Sequence, residues 1–206
     1  MRYLNKIVFL NSAHIPYSEI QLDGNVHFIG TQGVGKSTLL RAILFFYNAD
    51  TQRLGIPVEK KSYQDYYFPY ADSSIIYEVA REDGWFTVLS YKTMNRICYR
   101  FIASPYRPDL FIDEEGAPYP SDRIRSVLDK NGIKYSGAIS TYEEYRNILY
   151  GNSDNKRDYS CYSLMESGSY QNIIRTIQNV LLNSRLEADY IKQTIITSLN
   201  EADSVI

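Results

Sequence analysis

Gly30-Thr31-Gln32-Gly33-Val34-Gly35-Lys36-Ser37 fits G-x-x-x-x-G-K-[ST], the spacing of a loop that cradles phosphates. Each residue type has a chemical reason to be there. Gly33 and Gly35 let the backbone curl until successive N–H groups face one anion, a conformation that side chains resist. Lys36 supplies a mobile positive charge for β- and γ-phosphates, and Ser37 supplies a hydroxyl for Mg²⁺. A helix that starts at Lys36 would aim its positive end at the same phosphates.

The flanking residues provide the elements such a loop needs. Val26-His27-Phe28-Ile29 reads as a strand leading in. Leu39, Leu40, Ile43, Leu44 and Tyr47 form the apolar stripe of a helix leading out. Two more short strands, Lys6 to Leu10 and Ser18 to Leu22, come earlier, with Asp23-Gly24-Asn25 as turn chemistry before Val26. Residues 49 to 71 form a polar and aromatic excursion. Ser74 to Ala80 and Trp85 to Ser90 make a hairpin across Arg81-Glu82-Asp83-Gly84, and Ile97 to Ala103 is a third antiparallel strand.

Further along, Ser121 is placed to cap a helix with Ile124, Val127 and Leu128. Thr141 and Glu144 form a capping box ahead of Tyr145, Ile148 and Leu149, and Gly151 ends that helix. Residues 151 to 158 read as loop and Tyr159 to Met165 as a strand. Ile173, Ile174, Ile177, Val180 and Leu181 make a helical stripe, and a second capping box, Ser184 and Glu187, opens another with Ile191, Ile195 and Leu199. The last helix has no obvious terminator, as expected of a truncated or divided protein.

Other strings imitate nucleotide motifs. Asp113-Glu114-Glu115-Gly116 matches D-x-x-G and Asn155-Lys156-Arg157-Asp158 matches N-K-x-D, the pair that senses γ-phosphate and reads guanine in GTPases. The second follows loop residues, Gly151 to Asp154, where a buried strand is needed. Leu110-Phe111-Ile112-Asp113-Glu114 also mimics the acidic end of a Walker B strand, yet three apolar residues after Asp109 and a glycine at 116 fit an exposed hairpin better. His14 and Asn11 are read as turn residues over nucleotide contacts, Lys60-Lys61 as solvated surface over a DNA contact, and Tyr66, Tyr67 and Phe68 as packing over a base-stacking platform.

Composition narrows the class. Twenty-two basic and 24 acidic residues give a net charge of −2, with 44% apolar and 22% charged residues. That balance describes a globular chain and excludes a long disordered one. No apolar run is long enough to span a membrane, and the N-terminus lacks the apolar block of a secretory leader. Cys98 and Cys161 read as reduced thiols of a cytoplasmic protein. Without net positive charge, contact with nucleic acid requires a local patch or a partner. The 20 tyrosines read as strand and core residues.

The element order resembles the ABC class of ATPases, most closely the N-terminal head lobe of the SMC, RecF and SbcC-like group. The resemblance rests on Ile7-Val8-Phe9-Leu10-Asn11-Ser12, Tyr17-Ser18-Glu19-Ile20, and Val26-His27-Phe28-Ile29-Gly30 running into Gly35-Lys36-Ser37-Thr38-Leu39-Leu40. Gln32 stands where such loops usually carry asparagine. The resemblance implies an α/β fold, a P-loop NTPase lobe with a mixed sheet plus an antiparallel β-subdomain. It makes residues 1–206 one ATP-binding head lobe, with the helices of 170–206 leading towards a coiled coil.

It also implies ATP and Mg²⁺ as ligands, held by Gly30, Thr31, Gln32, Gly33, Val34, Gly35, Lys36, Ser37 and Thr38. Ser37 and Gln171 are the implied metal-facing residues, and Gln178 is the second choice for that glutamine. The Walker B strand, signature motif and catalytic glutamate belong to a C-terminal lobe in that group. The implied partners are that lobe, a second head in a homodimer, and DNA. The expected activity is ATP hydrolysis when the head is complete, and weak or no turnover by this chain alone. A GTPase or regulatory nucleotide switch acting without DNA is the alternative.

Overall fold

The structure is a computed structural model that describes residues 2–23, 29, 35–48, 51, 62–94, 96–151 and 159–164. Five strands form one antiparallel sheet: β1 (Tyr3–Ser12), β2 (Ile15–Gln21), β3 (Ser74–Arg81), β4 (Gly84–Thr93) and β5 (Arg96–Ile102). Their order is β2-β1-β3-β4-β5. The four helices among the described residues are α1 (Lys36–Asn48), α2 (Tyr63–Tyr67), α3 (Ser121–Lys130) and α4 (Tyr142–Leu149).

The two N-terminal strands are expected beside the phosphate loop, with residues 74 to 103 as a separate flanking sheet. Instead, β1 pairs with β3 from Tyr3↔Ala80 to Leu10↔Ser74. Both hairpins therefore belong to one antiparallel sheet. Of the predicted strand Val26–Ile29, only Ile29 lies among the described residues, where it is exposed.

The near-continuous apolar runs of β1, β3 and β4 have a simple cause: both faces of the sheet are covered. Ile7, Phe9, Ile75, Tyr77, Val79, Phe86, Val88, Tyr99 and Phe101 pack on one face with α1, α2 and α4. Val8, Leu10, Ile76, Leu89, Tyr91, Cys98 and Ile102 pack on the other with Ile124 and Leu128 of α3. The edge strand β2 keeps an alternating, partly exposed pattern. The opposite edge, β5, is covered by residues 134–139, which bridge Tyr99↔Ile139 and Ile102↔Tyr135. That cover removes a free row of backbone donors and acceptors.

Turn and cap chemistry fixes the ends. The β3–β4 hairpin closes at Arg81↔Gly84, as its sequence predicts. Thr141 caps α4 by accepting from Glu144 N–H at 3.3 Å. The expectation for Ser121 is corrected: the N-cap of α3 is Pro120, without a side-chain bond, and Ser121 occupies the first helical position. Proline has a fixed φ and no N–H to satisfy, so it enters a helix well. Tyr159 to Met165 is corrected as well. Ser160–Tyr162 is a 3₁₀ turn, whose Tyr162 ring packs on Phe86 and Phe101, a packing that alternation alone does not distinguish from a strand.

Candidate functional site

The helix that follows the loop begins at Lys36, as its motif requires. Gly35 has φ +88°, in the left-handed region that favours glycine, and its carbonyl accepts Leu39 N–H at 3.0 Å. No carboxylate occupies the first turn of α1, so no acidic residue of that turn offsets the positive end of the helix. Lys36 and Thr38 are half-buried there, and Ser37 is exposed. This is a donor set suited to an anion: a lysine, two hydroxyls and a helix N-terminus. A Cβ built at Gly35 would meet nothing within 4 Å, so open space adjoins the helix start.

Four phenols hold α1 by its carbonyls. Tyr67 donates to Thr38 O at 2.6 Å, Tyr77 to Ala42 O at 3.0 Å, Tyr145 to Phe46 O at 2.6 Å and Tyr150 to Tyr47 O at 2.6 Å. The last two carbonyls lie in the last turn of α1 among the described residues, Lys36–Asn48. Burial raises the Tyr77 and Tyr145 phenols well above the ordinary tyrosine range and keeps them as donors. Tyr67 is raised too, mainly by burial.

Beside the first turn stands the β1–β2 turn. Asn11, Ala13 and His14 all have positive φ, at 43°, 53° and 65°, an uncommon cluster for residues with a Cβ. Asn11 Nδ2 donates to Asp72 at 2.8 Å, and Ser73 Oγ donates to Asn11 O at 2.6 Å, which ties the turn to the segment ahead of β3. The His14 ring meets Tyr66 edge-on at 5.7 Å, and the Tyr66 hydroxyl lies 3.2 Å from Thr38 Oγ1. The turn role read for His14 holds, whereas Asn11 falls within β1 at positive φ and bonds Asp72, and Tyr67 and Phe68 are buried packing residues. The hydroxyl bonds of Tyr66 and Tyr67 to Thr38 are absent from the sequence reading. Their only trace there is the cluster of tyrosines at 63, 66 and 67.

Gly30, Thr31, Gln32, Gly33 and Val34 lie outside the described residues, as do Gln171, Gln178, Lys60, Lys61 and Asn155 to Asp158. The Walker B mimic is described. Leu110 ends a 3₁₀ turn, Pro108–Leu110, and Ile112 bridges to Pro118. Asp113 turns its carboxylate back onto the N–H groups of Glu115 and Ala117, at 3.0 and 2.8 Å. The turn at the glycine is as read, but the stretch is not an exposed hairpin: it closes on one bridge and buries Leu110 and Phe111 completely, and Asp113 serves its turn.

A cavity of about 390 Å³ opens between α2, β5 and the segment before α4, lined in part by Tyr63, Gln64, Arg96 and Tyr99. Among the described residues, no three His, Cys, Asp or Glu side chains gather as a metal site, and no helix is long and apolar enough to cross a membrane.

The family described as "Protein of unknown function (DUF3584)" matches residues 14–206, and the chain belongs to it. No curated protein and no solved structure matches the chain.

Proposed function

We propose that this chain is the nucleotide-binding half of an SMC-like ATPase head. The observation that carries the reading is the junction at Gly35-Lys36: a complete G-x-x-x-x-G-K-S pattern runs into a 13-residue helix with no acid in its first turn. The residues present fit MgATP. Lys36 would meet the β- and γ-phosphates, Ser37 would hold the metal, and the N–H groups of the first turn of α1 would donate to the anion. Bound Mg²⁺ neutralises charge on the phosphates.

What these residues do is position and neutralise. Orientation of the attacking water calls for a carboxylate, and Glu114, the acid of the Walker B mimic in that role, is exposed in a turn after a 3₁₀ segment and not at the end of a central strand. The acid is therefore assigned to a C-terminal lobe, and the closing donors to a second head. Gln171 is the proposed link to metal and water. The working partner of the assembled, cytoplasmic ATPase is DNA.

The test is calorimetric titration of the purified protein with MgATP and MgGTP. ATP is expected to bind more tightly than GTP, and Lys36→Ala to weaken ATP binding tenfold or more, by about 1.5–3 kcal/mol for a charge-assisted contact. Equal affinity in the variant, or preference for GTP, overturns the reading.

A further inference from the structure

The first turn of α1 is gripped from the side at one residue. Thr38 receives two phenols from α2: Tyr67 Oη on its carbonyl at 2.6 Å and Tyr66 Oη against its Oγ1 at 3.2 Å. The rest of α2 makes that grip firm. Tyr63 stacks on Phe45 of α1 at 4.5 Å and on Tyr67 at 4.1 Å, and Tyr67 meets Tyr66 edge-on at 5.1 Å. Tyr66 is further backed by His14 across the β1–β2 turn. Tyr63 thus engages the later part of α1 while Tyr66 and Tyr67 engage its start, so α2 runs back along α1 and ends at the phosphate side.

We propose that Tyr66 is a positioning residue for the phosphate site, acting through the Thr38 hydroxyl, with Tyr67 fixing the Thr38 backbone. The inference rests on the nucleotide reading above. Its chemistry is that of a hydroxyl relay. A threonine hydroxyl has one proton and two acceptor lone pairs. In a helix its default is to spend that proton on a carbonyl one turn back. When Tyr66 donates to Oγ1, the phenol fixes where the oxygen sits, polarises it, and leaves the threonine proton for an anion at the helix start. Tyr66→Phe removes the hydroxyl and keeps the ring against His14 and Tyr67.

A double-mutant cycle with MgATP tests this. Calorimetric Kd and Tm are measured for the unsubstituted protein, Tyr66→Phe, Thr38→Val and the double variant, with Lys36→Ala alongside. Tyr66→Phe is expected to weaken MgATP binding about 3- to 10-fold, the range of one hydrogen bond. In the Thr38→Val background the same change should have no effect on affinity. Unchanged affinity in Tyr66→Phe, or the same loss with and without the Thr38 hydroxyl, overturns the positioning role, even if Tm falls. Those results leave the nucleotide reading standing when Lys36→Ala still weakens binding tenfold or more. If the unsubstituted protein gives no heat with MgATP, the nucleotide reading fails and this role falls with it.

Discussion

On the face that carries α1, phenol rings fill the layer and their hydroxyls close on backbone carbonyls of the helix. On the face under α3, aliphatic side chains share the layer with Glu78 and Arg100, both buried. Glu78 is fully engaged there. It accepts from Asn5 Nδ2 at 2.7 Å and from Tyr106 N–H at 2.6 Å, at the bulge where β1 shifts register between Leu4 and Lys6. Arg100 is not. Its Nε and Nη1 have no hydrogen-bond partner, and the guanidinium lies near the rings of Tyr91 and Tyr135, at 5.9 and 5.2 Å. One face settles four of its phenols on carbonyls of α1, with the Tyr63 hydroxyl the exception; the other holds two charges, only one of them satisfied. A neutral phenol costs little to bury once bonded, whereas a buried charge needs a partner to offset its desolvation.

Alkali should break the α1 face with the largest effect. Tyr63, Tyr67, Tyr77 and Tyr145 are all held protonated above the ordinary range, chiefly by burial. An unfolded phenol ionises near pH 10. Above that, the unfolded chain releases protons that the fold retains. Stability intact below about pH 10 then falls by about 1.4 kcal/mol per pH unit for each such phenol. One cooperative transition is expected, in which tyrosinate absorbance and loss of circular dichroism coincide. Gradual ionisation of these phenols with the fold intact would count against their burial.

Hydroxyl removal sharpens the contrast at intermediate size. Tyr145→Phe and Tyr150→Phe each leave a last-turn carbonyl of α1 without its donor, and each should cost about 0.5–1.5 kcal/mol in urea unfolding. Tyr91→Phe, on the other face, removes a hydroxyl whose contact with Arg100 is 3.5 Å long, and should change stability by less than about 0.5 kcal/mol. Equal losses at all three positions would erase the distinction.

The smallest effect is expected at Arg100. Arg100→Met keeps much of the volume and removes a charge without an acidic partner, so stability should stay level or rise by about 1 kcal/mol. A loss beyond about 2 kcal/mol in the same unfolding assay would show that the two tyrosine rings more than offset its burial.

Local chemistry with a strong period was legible in the sequence. The stripe from Leu39 to Tyr47 gave α1, the Arg81-Glu82-Asp83-Gly84 turn gave the β3–β4 hairpin, and Thr141 with Glu144 gave the start of α4. What escaped was decided by distant partners. α2 is five residues long, too short for a helical period to declare itself. The cover on β5 is two isolated bridges with no run of its own. The four phenols that reach α1 come from positions 67, 77, 145 and 150, and nothing local tells which tyrosine bonds which carbonyl. At the candidate site, the identities of Lys36, Ser37 and Thr38 were readable from spacing, whereas the grip on Thr38 needed the fold.

That row of phenols makes α1 a stiff connecting rod. It spans about 20 Å at 1.5 Å per residue. It is pinned near its start by Tyr67, at mid-length by Tyr77, and at its far end by Tyr145 and Tyr150. The far pins belong to α4 and the residue after it, and Tyr145 also rests on Tyr99 and Phe101 of β5. A displacement at Lys36 would have to strain these bonds in turn, because the same pins tie the start of α1 to α4 and, through Tyr145, to the edge strand β5.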